Sequence, residues 1–224
     1  MKIVLQIILT VLTVQISFGQ VATIQDPDGW TNVRKAPDGK SEVIHKVYEN
    51  EVFWYDFEPT DKEQEWISIY IPKNNYSLGK SEPNFIVGFI HKSRLLKLEQ
   101  LQGYSGNDFQ FDYQLSDFDT ANRVIDKQDG KWVTAINGRP VWGTDGNFPK
   151  TQVDKVEVII EGKEIEIHEV FYSDIYECDS GLSIYKNGDT YFVHQLNSDG
   201  AGAYEIVWVF DKNGLKQRLV GTMI

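Results

Sequence analysis

The chain has 224 residues, of which 41% are apolar and 13% aromatic, and its formal net charge at neutral pH is −11. This acidic balance argues against nucleic acid and anionic membrane surfaces as partners, because both are bound through clustered lysine and arginine. The only cysteine, Cys178, excludes an intramolecular disulfide.

Residues 1–19 have the order of a secretory signal peptide. Lys2 precedes an apolar run that ends at Ile16, and small residues then stand before an expected cleavage point at Gln20. The run is shorter than the roughly 20 residues that span a bilayer, which disfavours an uncleaved anchor. We therefore expect an exported protein, in the periplasm or outside the cell, with no membrane insertion after cleavage.

Residues 20–98 predict short β-strands separated by turns rich in glycine and proline. In the segment Trp66–Ile71, alternation places Ile67, Ile69 and Ile71 on one face, which we expect to face a core. Short strands at this spacing predict a small barrel or sandwich.

Several separated motifs in this segment resemble the bacterial SH3-type domain. The stretch 30–37 contains Asn-Val-Arg with a proline three positions later, a motif that opens such domains. Gly88–His91 matches their glycine-aromatic-aliphatic-histidine strand. The resemblance covers about residues 21–98 and implies a small barrel that binds cell-wall peptides or protein segments. The stretch 72–86 is longer than the usual hairpin, and we expect it to shape or cover a groove.

Aromatic side chains of this segment are the candidate ligand contacts, because large rigid rings suit peptide ligands. The candidates are Trp30, Trp54, Tyr55, Trp66 and Tyr70. The alternative for each is a structural role, since a tryptophan in a small barrel more often packs the core or joins two strands.

Residues 99–116 contain glycines and little periodicity, so we predict a linker there. From 117 to 224 the pattern predicts four hairpins, the clearest of which turns at Asn137-Gly138. The others turn near Gly162, Gly188 and Gly214. We therefore predict an all-β protein: an SH3-like barrel followed by an antiparallel sandwich-like domain of about eight strands, to which no family resemblance is assigned.

Two Asp-Gly loops in this second half are candidates for a shared binding surface. One contains Asp145 and the other Asp199, with glycines that allow close backbone approach. Their oxygens could ligate calcium, but neither loop has EF-hand spacing, and ordinary turn chemistry is the favoured alternative. We predict no metal site and no cofactor.

No catalytic constellation stands out in the sequence. Cys178 has acidic neighbours and lies between strands, whereas a reactive thiolate usually sits at a helix start. The four histidines are scattered, and no nucleophile-elbow motif is present. We therefore predict a non-catalytic binding protein whose SH3-like domain recognises a cell-wall peptide or an envelope protein.

Two alternatives stay open. The acidic charge and the export signal also suit a periplasmic inhibitor or immunity protein that plugs a cell-wall-targeting enzyme. A cell-wall hydrolase would need only two converging carboxylates, and the chain has 33 acidic residues.

Overall fold

The computed structural model describes residues 20–56, 65–79, 85–178, 180–198 and 202–222. The predicted signal peptide lies outside these ranges, and so does Asp199. Antiparallel strands dominate the described chain, which confirms the predicted all-β class. Its helical elements are single 3₁₀ turns, so no helix in these ranges is long and apolar enough to cross a bilayer.

The described residues of the N-terminal half form one seven-stranded sheet with the order β3-β2-β6-β5-β4-β1-β7. The strands are β1 (Val21–Ile24), β2 (Trp30–Arg34), β3 (Val43–Tyr48), β4 (Phe53–Tyr55), β5 (Trp66–Pro72), β6 (Phe85–His91) and β7 (Leu95–Lys97). Ile67, Ile69 and Ile71 face the buried core of this sheet, as the alternation predicted. Gly88 permits the close approach of β2, because a Cβ there would lie 2.6 Å from Val33 Cγ1. The SH3-type assignment itself stays a prediction.

In the C-terminal half, the described residues form eleven further strands in three sheets. The strands are β8 (Gln102–Gly103), β9 (Phe109–Asp117), β10 (Ile125–Gln128), β11 (Trp132–Ile136), β12 (Arg139–Pro140), β13 (Thr151–Ile160), β14 (Lys163–Glu164), β15 (Ser183–Asn187), β16 (Thr190–Asn197), β17 (Tyr204–Asp211) and β18 (Gly214–Gly221). The sheet orders are β10-β11-β12, β14-β13-β9 and β18-β17-β16-β15-β8. The predicted hairpins at Asn137-Gly138, Gly188 and Gly214 are confirmed.

Two features of this half differ from the prediction. The segment 99–116, predicted as a linker, contains β8 and most of β9, and β9 pairs with β13 along almost its whole length. Its strand character comes from Phe109 and Phe111, which are buried between exposed polar neighbours. The hairpin predicted near Gly162 is reduced to the two residues of β14, which pair with Ile159 and Ile160, while β9 pairs along the opposite edge of β13.

The five-stranded sheet is buried on both faces. One face packs against β9 and β13 through Tyr191, Val193, Ile206, Trp208 and Phe210. The opposite face packs against the N-terminal half, where Phe192, Val207, Val209 and Leu219 meet Val21, Val52, Trp54 and Leu98. Strand β17 is buried from Tyr204 to Phe210, as expected for a near-continuous apolar strand covered on both sides. The two halves therefore share one apolar core.

Polar contacts from β18 reinforce this junction. The Gln217 side chain donates to Val52 O at 2.7 Å and accepts from Val52 N at 2.8 Å, and both groups are buried. Arg218 donates to the carbonyls of Asn75 and Tyr76, at 2.9 Å from its backbone N and 3.0 Å from Nη1. The described part of the long β5–β6 connection, expected to shape a groove, therefore packs against β18.

Glu205 is a buried acid on the face of β17 that points toward the N-terminal half. Its Oε1 lies 2.5 Å from His194 Nε2, and its Oε2 has no hydrogen-bond partner among the described residues. Burial raises the pKa of Glu205, the His194 contact opposes the shift, and the nearby Glu99 adds to it. Glu205 therefore binds a proton more readily in the folded protein than in the unfolded chain.

This shift predicts a pH dependence that a Glu205→Gln substitution removes. Because the folded-state pKa is raised, the contribution of Glu205 to stability falls as pH rises from about 4.5 through the folded pKa. Between pH 4.5 and pH 7.5, the free energy of unfolding should change less favourably for the wild type than for the variant. Urea unfolding of both proteins at the two pH values measures this difference. Glu161→Gln, in an exposed turn, is the control. Parallel stability profiles for wild type and Glu205→Gln would contradict the prediction.

Candidate functional site

The five candidate aromatic residues do not converge on one surface. Trp54 is 1% exposed in the core between the two halves, and Tyr55 is buried in the core of the N-terminal sheet. Tyr70 is half-buried beside Trp54, and its hydroxyl donates to Asp56 Oδ2 at 3.1 Å. The face of β4 that carries Trp54 is covered by β17 and β18, so Trp54 has the structural role given above as the alternative.

Trp30 and Trp66 keep part of their ring surface exposed, on separate strands. The Trp66 ring meets His91 edge-on, with centroids 5.7 Å apart, and Lys46 Nζ lies 3.6 Å from the Trp30 ring centroid. These two residues stay candidates for a peptide-binding surface on the N-terminal half.

The two Asp-Gly loops adjoin each other, as far as the structure describes them. Gly143 N donates to Gly202 O at 3.0 Å, and Ser198 Oγ donates to Gly143 O at 3.1 Å. Asp145 is exposed at this junction. Within the described ranges, no three His, Cys, Asp or Glu side chains gather closely enough to hold a metal ion.

A polar pocket of about 310 Å³ lies elsewhere in the C-terminal half. The turn after β9, the β11–β12 turn, the start of β13 and the 3₁₀ turn Glu169–Phe171 with its following residues form its walls. Its polar lining combines amide, charged and hydroxyl groups from Asn122, Asn137, Gln152, Arg123, Asp154, Glu169, Tyr172 and Ser173. The pocket therefore offers hydrogen-bond donors, acceptors and charges of both signs.

The guanidinium of Arg123 is held in place from the protein side. Its Nε donates to Asp119 O at 2.8 Å, its Nη2 to Gln152 Oε1 at 2.6 Å, and its Nη1 to Tyr176 Oη at 3.4 Å. Burial raises the pKa of Tyr176 to about 12, so this phenol is neutral at physiological pH and does not balance the charge. A guanidinium carries five N–H groups, so two are not used by these three bonds.

Among the described residues, no carboxylate lies within ion-pair distance of Arg123. The other two arginines of the C-terminal half are different, because Arg139 and Arg218 both face Asp174, at 3.6 Å and 2.6 Å. Arg123 is therefore the arginine of this half that an external anion can best approach.

The pocket wall opposite β13 is held by exposed and partly buried polar contacts. His168 Nδ1 accepts from Val170 N at 3.1 Å and caps the 3₁₀ turn. Arg139 Nη1 donates to Val170 O at 2.6 Å and lies 3.4 Å from Ser173 Oγ. Burial raises the pKa of Tyr172, and Glu169 adds to the shift, so this hydroxyl stays available as a hydrogen-bond donor. The wall is thus preorganised to bind a polar ligand.

Cys178 does not line this pocket. Its thiol is buried and donates to Gln195 Oε1 at 2.8 Å, and Asn197 Nδ2 lies 3.6 Å from Sγ. The thiol thus belongs to a buried hydrogen-bond cluster between the sheets of the C-terminal half.

The sequence analysis missed the pocket residues. Asn137 was assigned only a turn role, and nothing local distinguishes Arg123 or Gln152 from other surface residues. Arg123 and Gln152 are 29 positions apart, and the turn after β9 brings them together only because β9 pairs with β13.

No family model matches the chain, and searches of curated proteins and of solved structures also returned no match.

Proposed function

We propose that this protein is an exported, non-catalytic binding protein, and that its polar pocket recognises a short peptide of the cell wall or of an envelope protein. The environment of the Arg123 guanidinium supports this proposal. A guanidinium held by three protein contacts, with no described carboxylate beside it, suits the carboxylate of a ligand, which it can bind through charge-assisted hydrogen bonds.

The remaining pocket groups complement the rest of a peptide. Asp154 and Glu169 can accept from an ammonium or amide N–H, and the side-chain amides can pair with peptide groups. Gln152 Nε2 already orients Asp154 by donating to its Oδ1 at 2.9 Å. In this proposal, Trp54, Tyr55 and Tyr70 stabilise the fold, while Trp30 and Trp66 are available for a second contact surface.

Arg123→Gln tests the proposal against tetraalanine with a free or an amidated carboxyl terminus. A hydrogen bond to a charged group contributes about 1.5–3 kcal/mol, so the variant should bind the free peptide about 10- to 100-fold more weakly. The amidated peptide should bind weakly to both proteins. Isothermal titration calorimetry measures both affinities.

Lys212→Gln is the matched control, because it removes the same formal charge from an exposed turn. It should bind like the wild type. Equal binding of the free and amidated peptides would overturn the assignment of Arg123. Co-sedimentation with purified cell-wall sacculi tests whether the cell wall carries the ligand. If Arg123→Gln binds sacculi as well as the wild type does, the pocket is not the site of that binding.

A further inference from the structure

We infer that the ligand carries an apolar side chain beside its carboxylate, and that Phe148 and Phe118 bind this side chain next to the pocket. This inference rests on the proposed function and narrows its ligand class. The ligand is then a peptide whose carboxyl-terminal residue is aromatic or bulky aliphatic.

A row of side chains leads from solvent to the pocket. The Phe148 ring stacks on Phe118, with centroids 6.1 Å apart and planes 26° from parallel. The guanidinium carbon of Arg123 lies 5.0 Å from the Phe118 ring centroid. Arg123 therefore belongs both to the polar lining and to the aromatic row, and one ligand residue could contact both.

The Phe148 ring leaves a large part of its surface exposed to solvent. Phe118 packs against the small core of Val133, Ile136 and Tyr176, whereas Phe148 lies outside this core and is 41% exposed. The exposed part of the Phe148 ring, stacked on Phe118, is apolar surface that a ligand side chain can cover.

The segment that carries Phe148 is tied down on both sides. Before it, Gly146 O accepts from Val133 N at 2.8 Å, and after it, Lys150 O accepts from Phe118 N at 2.7 Å. Glu177 Oε1 also accepts from Lys150 N and, at 3.2 Å, from Thr151 N. The ring is therefore presented by an anchored backbone, which lowers the entropic cost of binding.

Two cations flank the row, and either can pair with the carboxylate of an occupant. Lys127 Nζ lies 4.8 Å from the Phe148 ring centroid, so a cation stands at each end of the row, with Arg123 at the other. A peptide with an apolar terminal residue places its carboxylate and its side chain next to each other. That arrangement matches a guanidinium that adjoins the Phe118 ring, against which the Phe148 ring stacks.

The test compares tetraalanine with Ala-Ala-Ala-Phe, both with free carboxyl termini, by isothermal titration calorimetry. The wild type should bind the phenylalanine peptide about tenfold more tightly, as expected when an aromatic side chain is buried against another ring. Phe148→Ala should reduce this affinity to that of tetraalanine and leave tetraalanine binding unchanged. Tyr48→Ala, which removes an exposed ring from the N-terminal sheet, should change neither affinity.

The outcomes separate this inference from the proposed function. If the wild type binds both peptides equally and in an Arg123-dependent way, the pocket is retained and the apolar subsite is overturned. If Phe148→Ala weakens both peptides by the same factor, its side chain is not specific for the terminal residue, and the subsite is also overturned. If neither peptide binds, the proposed function fails together with the subsite.

Discussion

Replacing Trp54 by alanine should lower the free energy of unfolding by about 3–5 kcal/mol, the usual cost of truncating a fully buried tryptophan. Trp54 is 1% exposed and lies against Val207, Val209 and Leu219 of the five-stranded sheet. Its ring also lies 3.5 Å from the position that a Cβ on Gly221 would occupy. Urea denaturation followed by far-UV circular dichroism measures the loss.

Trp66→Ala is the matched control, because it removes the same side chain from the outer face of the same sheet, where it is half-buried. It should cost about 1 kcal/mol or less. Because the halves share a core, fluorescence and circular dichroism should report one coincident transition for the wild type. Similar losses for the two variants, or two separate wild-type transitions, would contradict the buried junction.

Asp174→Asn should destabilise the protein by about 3–5 kcal/mol, because it leaves a buried charge without its counter-ion. Asp174 Oδ1 lies 2.6 Å from Arg218 Nη2, and the Arg218 side chain is 0% exposed. Burial lowers the pKa of Arg218, and the Asp174 charge opposes that shift. Since Asp174 follows the pocket wall at Ser173, peptide affinity should fall as well. Thermal and urea unfolding measure the stability loss.

Glu42→Gln is the control for charge removal, because the Lys35–Glu42 pair, at 3.2 Å, is about two-thirds exposed on both sides. Its removal should cost no more than about 1 kcal/mol. The double variant Asp174→Leu, Arg218→Met should recover much of the stability lost in Asp174→Asn, since a buried ion pair can be replaced by apolar side chains of similar volume. A double variant less stable than the single one would contradict this account.

Local patterns account for the parts of the fold that the sequence predicted. The turn at Asn137-Gly138 has both residues at positive φ, as a two-residue hairpin requires. The alternating isoleucines of β5 all face the core because neighbouring side chains in a strand point to opposite faces. Such features depend on a few adjacent residues and are therefore visible in the sequence alone.

Long-range packing accounts for the parts that the sequence did not predict. From the sequence alone, Trp54 resembles an exposed binding residue. The side chains that bury it belong to strands more than 150 positions further along the chain. The ion pair of Asp174 and Arg218 joins residues 44 positions apart, and the contacts of Arg123 depend on the pairing of β9 with β13. The residue pattern within one segment cannot reveal these contacts, because their partners lie far away in the chain.

The earliest and latest described strands meet at Trp54, since β1 pairs beside it at Val21 and β18 ends against it at Gly221. A chain that emerges amino terminus first can assemble the N-terminal sheet early, but it must wait for Gln217 and Leu219 before Val52 and Trp54 are covered. During that interval, the nascent chain presents an apolar surface that can associate with other chains. We therefore expect the risk of aggregation to last from the synthesis of β1 until β18 has been made and has packed against Trp54.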